Sequence, residues 1–251
     1  MNKDTVTACM LIIGNEILSG RTQDTNLKYL AIELNELGVR MTEARVIPDI
    51  ERVIIDAVNE CRQKFDYVFT TGGIGPTHDD ITADCIAAAF GVQLIMDPTA
   101  EAIIRQREAP PDVMEARLRM ARVPEGSTLI ENGTGGPPGF QIENVFVMAG
   151  VPMVMQAMVA SLDASRIQGG KPVRSRTIGA HLSEGQIAAL LRGVQGRHPG
   201  VDVGSYPFYR DSGIGTNLVV RGTDEAELES IVEELRVIIS ELGSEGVDGG
   251  I

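Results

Sequence analysis

The stretch that decides the fold is residues 67–80, which read YVFTTGGIGPTHDD. Its apolar beginning, Tyr67 to Thr70, is typical of a parallel strand, since such strands are covered by helices on both faces. Two similar units precede it, because Val6 to Ile13 and Arg40 to Ile47 read as strands and each is followed by apolar residues at helical spacing. Three consecutive βα units predict a parallel sheet with helices on both faces.

The rest of the chain predicts a large domain and a smaller one. Short strands near residues 128–130, 140–142 and 145–148 and a helix opened by Pro152 extend the first domain. The pattern lapses at residues 168–172 (QGGKP), which places a domain boundary between residues 1–168 and 169–251. The second part reads as a strand, a helix, two strands and a helix. We therefore expect a small α+β module (βαββα) with a frayed C-terminus.

Composition limits the classes of partner. The chain has 251 residues and a formal net charge of -13. Such a field repels phosphodiester backbones and anionic membranes, so we expect neither a nucleic-acid nor a membrane partner. The 3 cysteines form no CxxC motif, and no apolar run approaches the roughly 20 residues of a membrane span. These features favour a cytoplasmic protein without a structural zinc site.

Two polar segments follow predicted strands and point to a ligand site. Ligands of open parallel sheets bind beyond the carboxyl ends of the strands, where Gly14, Asn15 and Glu16 and the loop at residues 70–80 both fall. In that loop glycines allow the backbone to approach a ligand, and hydroxyls add donors. The following helix would present free N–H groups to the same crevice. The residues that favour a phosphate site are Thr71, Gly72, Gly73, Gly75 and Thr77, although such glycines also occur in plain turns.

Two common phosphate motifs are excluded. The chain has no GxxxxGK[ST] sequence, since its single Gly-Lys pair, Gly170-Lys171, precedes Pro172. The glycines after the third strand do not continue as GxGxxG, and they do not follow the first strand. A kinase or an ordinary dehydrogenase is therefore disfavoured.

Acidic residues beside the predicted phosphate site indicate a cation. Asp79 and Asp80 would repel a phosphate unless a divalent cation bridged them, and carboxylate with phosphate oxygens is the coordination that Mg²⁺ prefers. Asp80 and Asp49 also precede predicted helices, so either could be a plain N-cap. Glu16 is a ligand-orienting acid or a solvated loop charge. His78 is a phosphate donor, a proton relay or an exposed loop histidine.

These motifs resemble a known family. The segment from Thr70 to Thr82 resembles the signature loop of the molybdopterin-binding (MoaB/MogA-like) domain family, in the version found in competence/damage-inducible protein A (CinA). Residues 14–20 (GNEILSG) and 24–26 (DTN) resemble the first loop of that subgroup. Its later loops are matched by Pro138 and Gly139 and by Gly150 and Pro152. The resemblance covers about residues 6 to 163, and the C-terminal module resembles, with weaker motifs, the one that follows this domain in CinA.

The resemblance implies a three-layer α/β/α domain with a nucleotide or pterin-phosphate site at the strand ends, and self-association into a homo-oligomer. The ligand-binding residues that it implies include Thr82, Pro138, Gly139, Gly150 and Pro152. In the molybdopterin branch, two acids that match Asp49 and Asp80 are tied to adenylylation of the cofactor. The CinA branch is associated with metal-dependent cleavage of a nucleotide pyrophosphate such as ADP-ribose, and a related domain beside eukaryotic FAD synthase with FAD cleavage. The molybdopterin branch commonly has Arg where Asp79 stands here, which shifts the expectation toward metal binding.

Three functional hypotheses follow. The first is a hydrolase of a nucleotide pyrophosphate that uses Mg²⁺, Mn²⁺ or Co²⁺, with Asp79 and Asp80 holding the cation and Asp49 acting on water. The second is a transferase that adenylylates molybdopterin. The third is a module without catalytic activity that binds a nucleotide or molybdopterin.

Overall fold

The computed structural model describes residues 5–211 and 213–251. The chain divides into two compact units, Met1–Lys171 and Pro172–Ile251. Across the described residues, no helix combines the length and the apolar character needed to cross a bilayer.

The first unit is built on a six-stranded sheet of order β2-β1-β3-β8-β7-β6. Strands β2, β1, β3 and β8 are parallel, β7 pairs antiparallel with β8, and β6 pairs antiparallel with β7 at the edge of the sheet. The elements of this unit are β1 Val6–Ile13, α1 Asn15–Leu18, α2 Asn26–Glu36, β2 Val39–Ile47, α3 Glu51–Lys64, β3 Tyr67–Thr71, α4 Thr82–Phe90, β4 Leu94–Met96, α5 Pro98–Arg105, α6 Pro111–Leu118, β5 Arg122–Pro124, β6 Thr128–Ile130, β7 Gly139–Ile142, β8 Val145–Met148 and α7 Pro152–Ala160.

Two apolar cores lie on opposite faces of this sheet. Alternate residues of β1 supply them, since Leu11 packs with Ile54 of α3 and Ile86 of α4, whereas Met10 packs with Leu30 of α2 and Met155 of α7. All six side chains are fully buried. Burying β1 on both faces requires helices on both sides, which confirms the predicted α/β architecture of three layers.

A small subdomain follows α4 and was not fully predicted. Strands β4 and β5 pair antiparallel, and a 3-10 turn at Arg119–Ala121 joins α6 to β5. Its own core contains Ala100, Ile104 and Ala121. Each of the two strands pairs with a segment that is distant in sequence, so no hairpin pattern marks either of them.

The second unit is a two-layer module with an antiparallel sheet of order β10-β11-β9-β12. Its helices bury Ile187 and Leu235 among others against the sheet residues Ile178 and Leu218. A capping box of Ser183 with Gln186 starts the helix Glu184–Arg197. Its elements are β9 Arg174–Ala180, α8 Glu184–Arg197, β10 Asp202–Arg210, β11 Gly213–Gly222, α9 Glu225–Glu241 and β12 Val247–Asp248.

The expectation of a frayed C-terminus is wrong. Val247–Asp248 pairs with β9, which adds a sixth element to the predicted βαββα pattern. The Asn217 side chain accepts the N–H of Ile251 at 2.9 Å and donates to its carbonyl at 3.2 Å. Backbone hydrogen bonds to an open sheet edge stabilise a segment that local sequence alone marks as loop.

Candidate functional site

The first two loops of the sheet are joined at the carboxyl ends of β1 and β2. The Asn15 N–H donates to Oδ2 of Asp49 at 2.8 Å, and the Gly14 N–H donates to the Ile47 carbonyl at 3.1 Å. Helix α3 has Ile50 at its N-cap without a side-chain cap bond, so the capping interpretation of Asp49 is wrong. Asp49 instead ties the loop after β2 to the loop after β1.

The loop after β3 turns at two glycines that no other residue could replace without strain. Gly72 has φ +100°, and a Cβ there would lie 2.1 Å from the Ile13 carbonyl oxygen of β1. Gly73 has φ +67°, and a Cβ there would lie 2.2 Å from Oγ1 of Thr82. Positive φ and close approach together explain the glycines, as the sequence predicted.

Thr82 closes this turn from the start of α4. Its hydroxyl donates to the Gly72 carbonyl at 3.0 Å, and its N–H donates to the Gly73 carbonyl at 3.0 Å. Thr82 is fully buried. The prediction that Thr82 contacts a ligand is therefore corrected, since both its hydroxyl and the first N–H of α4 hold the loop in shape.

Asp80 stabilises the same loop with one carboxylate oxygen only. Its Oδ2 accepts the N–H of Thr77 at 2.8 Å and the Thr77 hydroxyl at 2.5 Å. Among residues 5–211 and 213–251, its Oδ1 has no hydrogen-bond partner. The N-cap of α4 is Ile81, so Asp80 does not cap that helix. The Thr77 hydroxyl, predicted as a ligand donor, is already committed to Asp80.

The neighbouring charged side chains are open to solvent. The side chains of His78 and Asp79 are 95% and 65% exposed, and Nδ1 of His78 lies 4.0 Å from Oδ1 of Asp79. The nearby Thr77 hydroxyl and its own backbone N–H hold the pKa of the Asp79 carboxyl below its usual range. Glu16, in the short helix α1, is also exposed, and its carboxylate lies against Gly14.

A divalent cation at this loop would have few protein ligands. Within the described part of the chain, no third acidic or histidine side chain joins Asp79 and Asp80 to give ligand atoms within 4.8 Å of one another. The group that does meet this distance is Cys9, Glu43 and Cys61, in and beside the core under α3, where Arg45 and Lys64 already hold the Glu43 carboxylate. Mg²⁺ commonly uses one or two carboxylates and completes its shell with phosphate and water, so the donor set at Asp80 fits such an ion.

A recess lies on the α2 side of the loop, and we call it the α2-side recess. Asn26 lines it and is 4% exposed. Its Nδ2 donates to the Gly150 carbonyl at 2.8 Å, but its Oδ1 is buried and has no hydrogen-bond partner in the described structure. An unpaired buried acceptor costs about 1–3 kcal/mol, which a ligand donor would offset. Glu16, Thr71, Gly150 and Pro152 line the same recess.

A second recess, the α4-side recess, lies on the other side of the loop. Its lining includes Gly73, Gly75, Asp80, Asp84, Arg119, Arg122 and Pro138. The two arginines were not predicted as site residues, because they follow the glycine loop by about 40 positions and only the tertiary fold brings them to it. Asn26 lies in the DTN segment that carries the family resemblance, but nothing in the sequence indicates that its side-chain oxygen is buried without a partner.

The remaining predicted residues have mainly structural environments. Gly139 is buried in β7, and a Cβ there would lie 2.4 Å from the Val147 carbonyl oxygen. A Cβ on Gly150 would lie 3.2 Å from Cα of Gly72, so the two loops touch there. Pro152 occupies the first turn of α7, where its missing N–H costs no hydrogen bond.

These features define an α/β/α domain with a glycine turn at the carboxyl ends of its parallel strands. Residues 9–168 match the family described as "probable molybdopterin binding domain", and residues 172–244 match "FAD synthase, middle domain". The chain belongs to the molybdopterin-binding (MoaB/MogA-like) domain family.

Relatives and a solved structure agree with this assignment. A protein of Archaeoglobus fulgidus is 34% identical over 79% of this chain and 84% of its own length. A CinA-like protein of Gemmatimonas aurantiaca is 36% identical over 74% of this chain, and the match spans 48% of that relative. The crystal structure of the protein CinA from Thermoplasma acidophilum has a TM-score of 0.60 and 31% identity over 66% of this chain and 100% of its own.

Proposed function

We propose that the protein is a divalent-cation-dependent hydrolase that cleaves a nucleotide pyrophosphate of the ADP-ribose or FAD type. The observation that carries the proposal is the Asp80 carboxylate, which has one oxygen fixed by Thr77 and the other without a partner, in the wall of a recess formed by the glycine loop. A carboxylate fixed in this way is preorganised to hold a cation beside a phosphate.

The recesses on the two sides of the loop suit a ligand with two organic halves. A pyrophosphate on the loop would direct one half toward the α2-side recess and the other across the α4-side recess. FAD and ADP-ribose both have a pyrophosphate between two such halves. The match of residues 172–244 to a domain named after FAD synthase supports this class of ligand.

Three groups of the chain would act on the pyrophosphate. The backbone of Gly73 to Gly75 would contact phosphate oxygens, and Asp80 would hold the cation through Oδ1. Bound there, the cation would neutralise charge on the phosphate and lower the pKa of a coordinated water. Asp49, oriented by the Asn15 N–H, would accept a proton from the attacking water. One P–O bond would break and one would form, to give AMP and a second phosphate monoester.

Binding of molybdopterin is the second candidate function, and the family assignment favours it. The unpaired Oδ1 of Asn26 would accept an N–H of a pterin ring as well as one of a nucleobase. Such binding would serve either a transferase that adenylylates molybdopterin or a module without catalytic activity.

Product analysis separates these candidates. The protein would be incubated with ADP-ribose, FAD or NAD in the presence of Mg²⁺, Mn²⁺ or Co²⁺, and AMP would be measured by liquid chromatography. We expect AMP from at least one substrate, and no AMP once the cation is chelated. Absence of AMP from every pair would contradict the hydrolase, and ATP-dependent adenylylation of molybdopterin would identify the transferase instead.

A further inference from the structure

Two arginines line the α4-side recess together with the glycine loop. Arg119 begins the 3-10 turn after α6, and Arg122 begins β5, so the short subdomain that follows α4 supplies both. Gly73, Gly75 and Asp80 line the same recess. The subdomain is therefore part of the wall of the site and not only a cover for α4.

The polar groups of these arginines are incompletely satisfied. Arg122 donates to Asp84 through Nη2 at 3.3 Å, but its Nε is buried and has no hydrogen-bond partner. The guanidinium of Arg119 has neither a hydrogen bond nor an ion pair with any described residue. By contrast, Arg105 on the neighbouring helix α5 pairs with Glu101 at 2.7 Å. In a chain with a net charge of -13, an arginine without an acidic partner beside a candidate phosphate site is informative.

We infer that Arg119 and Arg122 form a binding site for a phosphate group of the ligand. The inference rests on the proposed function in one respect, because it places the second phosphate of the same pyrophosphate on these arginines. Planar guanidinium groups match phosphate oxygens in charge and in hydrogen-bond geometry.

The charges of the recess agree with this assignment. Asp80 and Asp84 balance Arg119 and Arg122, so the lining is neutral overall. A phosphate alone would meet the two carboxylates, whereas a phosphate that arrives with a divalent cation satisfies both signs. We therefore expect binding of the anion to require the cation.

Beyond the arginines there is space for the group attached to the phosphate. A wide depression shares Asp84, Arg119 and Arg122 with the recess and continues over Ile81, Met96 and Leu118. Apolar side chains next to a phosphate site suit a planar ring, as in a nucleobase or a flavin.

Inorganic pyrophosphate is the probe that isolates this anion site. Isothermal titration would compare the wild-type protein with Arg119→Gln, with and without Mg²⁺. We expect Arg119→Gln to weaken pyrophosphate binding roughly tenfold, as loss of a charged hydrogen bond does, with the melting temperature unchanged because Arg119 has no partner to lose. Arg105→Gln is the matched control and should bind as the wild type does.

Equal affinity of the wild type and Arg119→Gln, or no binding by the wild type, would overturn the anion site. Measuring AMP release with the same proteins separates this proposal from the hydrolase. Weaker pyrophosphate binding by Arg119→Gln, without release of AMP from any substrate, would support the anion site and refute the hydrolase. AMP release with the same KM in Arg119→Gln and in the wild type would support the hydrolase and refute the anion site.

Discussion

Replacing Asp80 by Asn is expected to reduce release of AMP by roughly 100-fold or more while the protein stays folded. The Asn side-chain oxygen can still accept both hydrogen bonds from Thr77, so the loop keeps its shape. The amide nitrogen then replaces the unpaired carboxylate oxygen and cannot bind a cation. The variant therefore removes the charge and keeps the local geometry.

Asp224→Asn is the matched control for this substitution. Asp224 accepts the N–H groups of Ala226 and Glu227 at the start of α9, in the other unit, and Asn caps a helix about as well as Asp does. Rates of AMP formation would be measured at several cation concentrations, with thermal melts for both variants. Wild-type turnover in Asp80→Asn would show that the carboxylate holds no cation.

Gly72→Ala is expected to lower the free energy of unfolding by about 3 kcal/mol, which is more than we expect for Gly91→Ala. The new Cβ would meet the Ile13 carbonyl oxygen at 2.1 Å, in a backbone conformation with φ +100° that side chains disfavour. Strand β1 or the loop would have to move, and the turn that contacts phosphate would move with it. Urea unfolding followed by circular dichroism measures the effect.

Gly91→Ala separates the clash from the backbone strain. Gly91 ends α4 with φ +67°, and nothing lies within 4 Å of a Cβ placed there. Its loss should be about 1 kcal/mol, from the left-handed conformation alone. Equal urea midpoints for the two variants would mean that the contact between the loop and β1 is not as close as described.

The large domain could be predicted because its signals are local. Apolar strands ended by Gly14 or by the glycine loop, with apolar residues at helical spacing between them, define β1, β2 and β3 and the helices that follow. Strands β4, β5 and β12 escaped prediction because each forms by pairing with a segment that is distant in sequence. Pairing of that kind leaves no periodic signal in the sequence.

The sequence predicts where the site lies, but it predicts the roles of the site residues only in part. Asp49 and Asp80 come just before predicted helices, which made both of them candidates for N-caps. In the structure the N-caps of α3 and α4 are Ile50 and Ile81, and the two carboxylates accept N–H groups of loop residues instead. Thr82 was expected to meet a ligand and instead holds the glycine turn. Arg119 and Arg122 could not be found from spacing, because the subdomain between α4 and β6 folds back to bring them to the loop.

A crystal structure of the protein with AMP and Mn²⁺ tests the central claim most directly, because anomalous scattering locates the metal independently of the nucleotide. The phosphate is expected within hydrogen-bond distance of the backbone from Gly73 to Gly75, with a Mn²⁺ peak at Oδ1 of Asp80. A metal peak at Cys9, Glu43 and Cys61, or a phosphate bound away from the glycine loop while Asp80 contacts only Thr77, would contradict the claim.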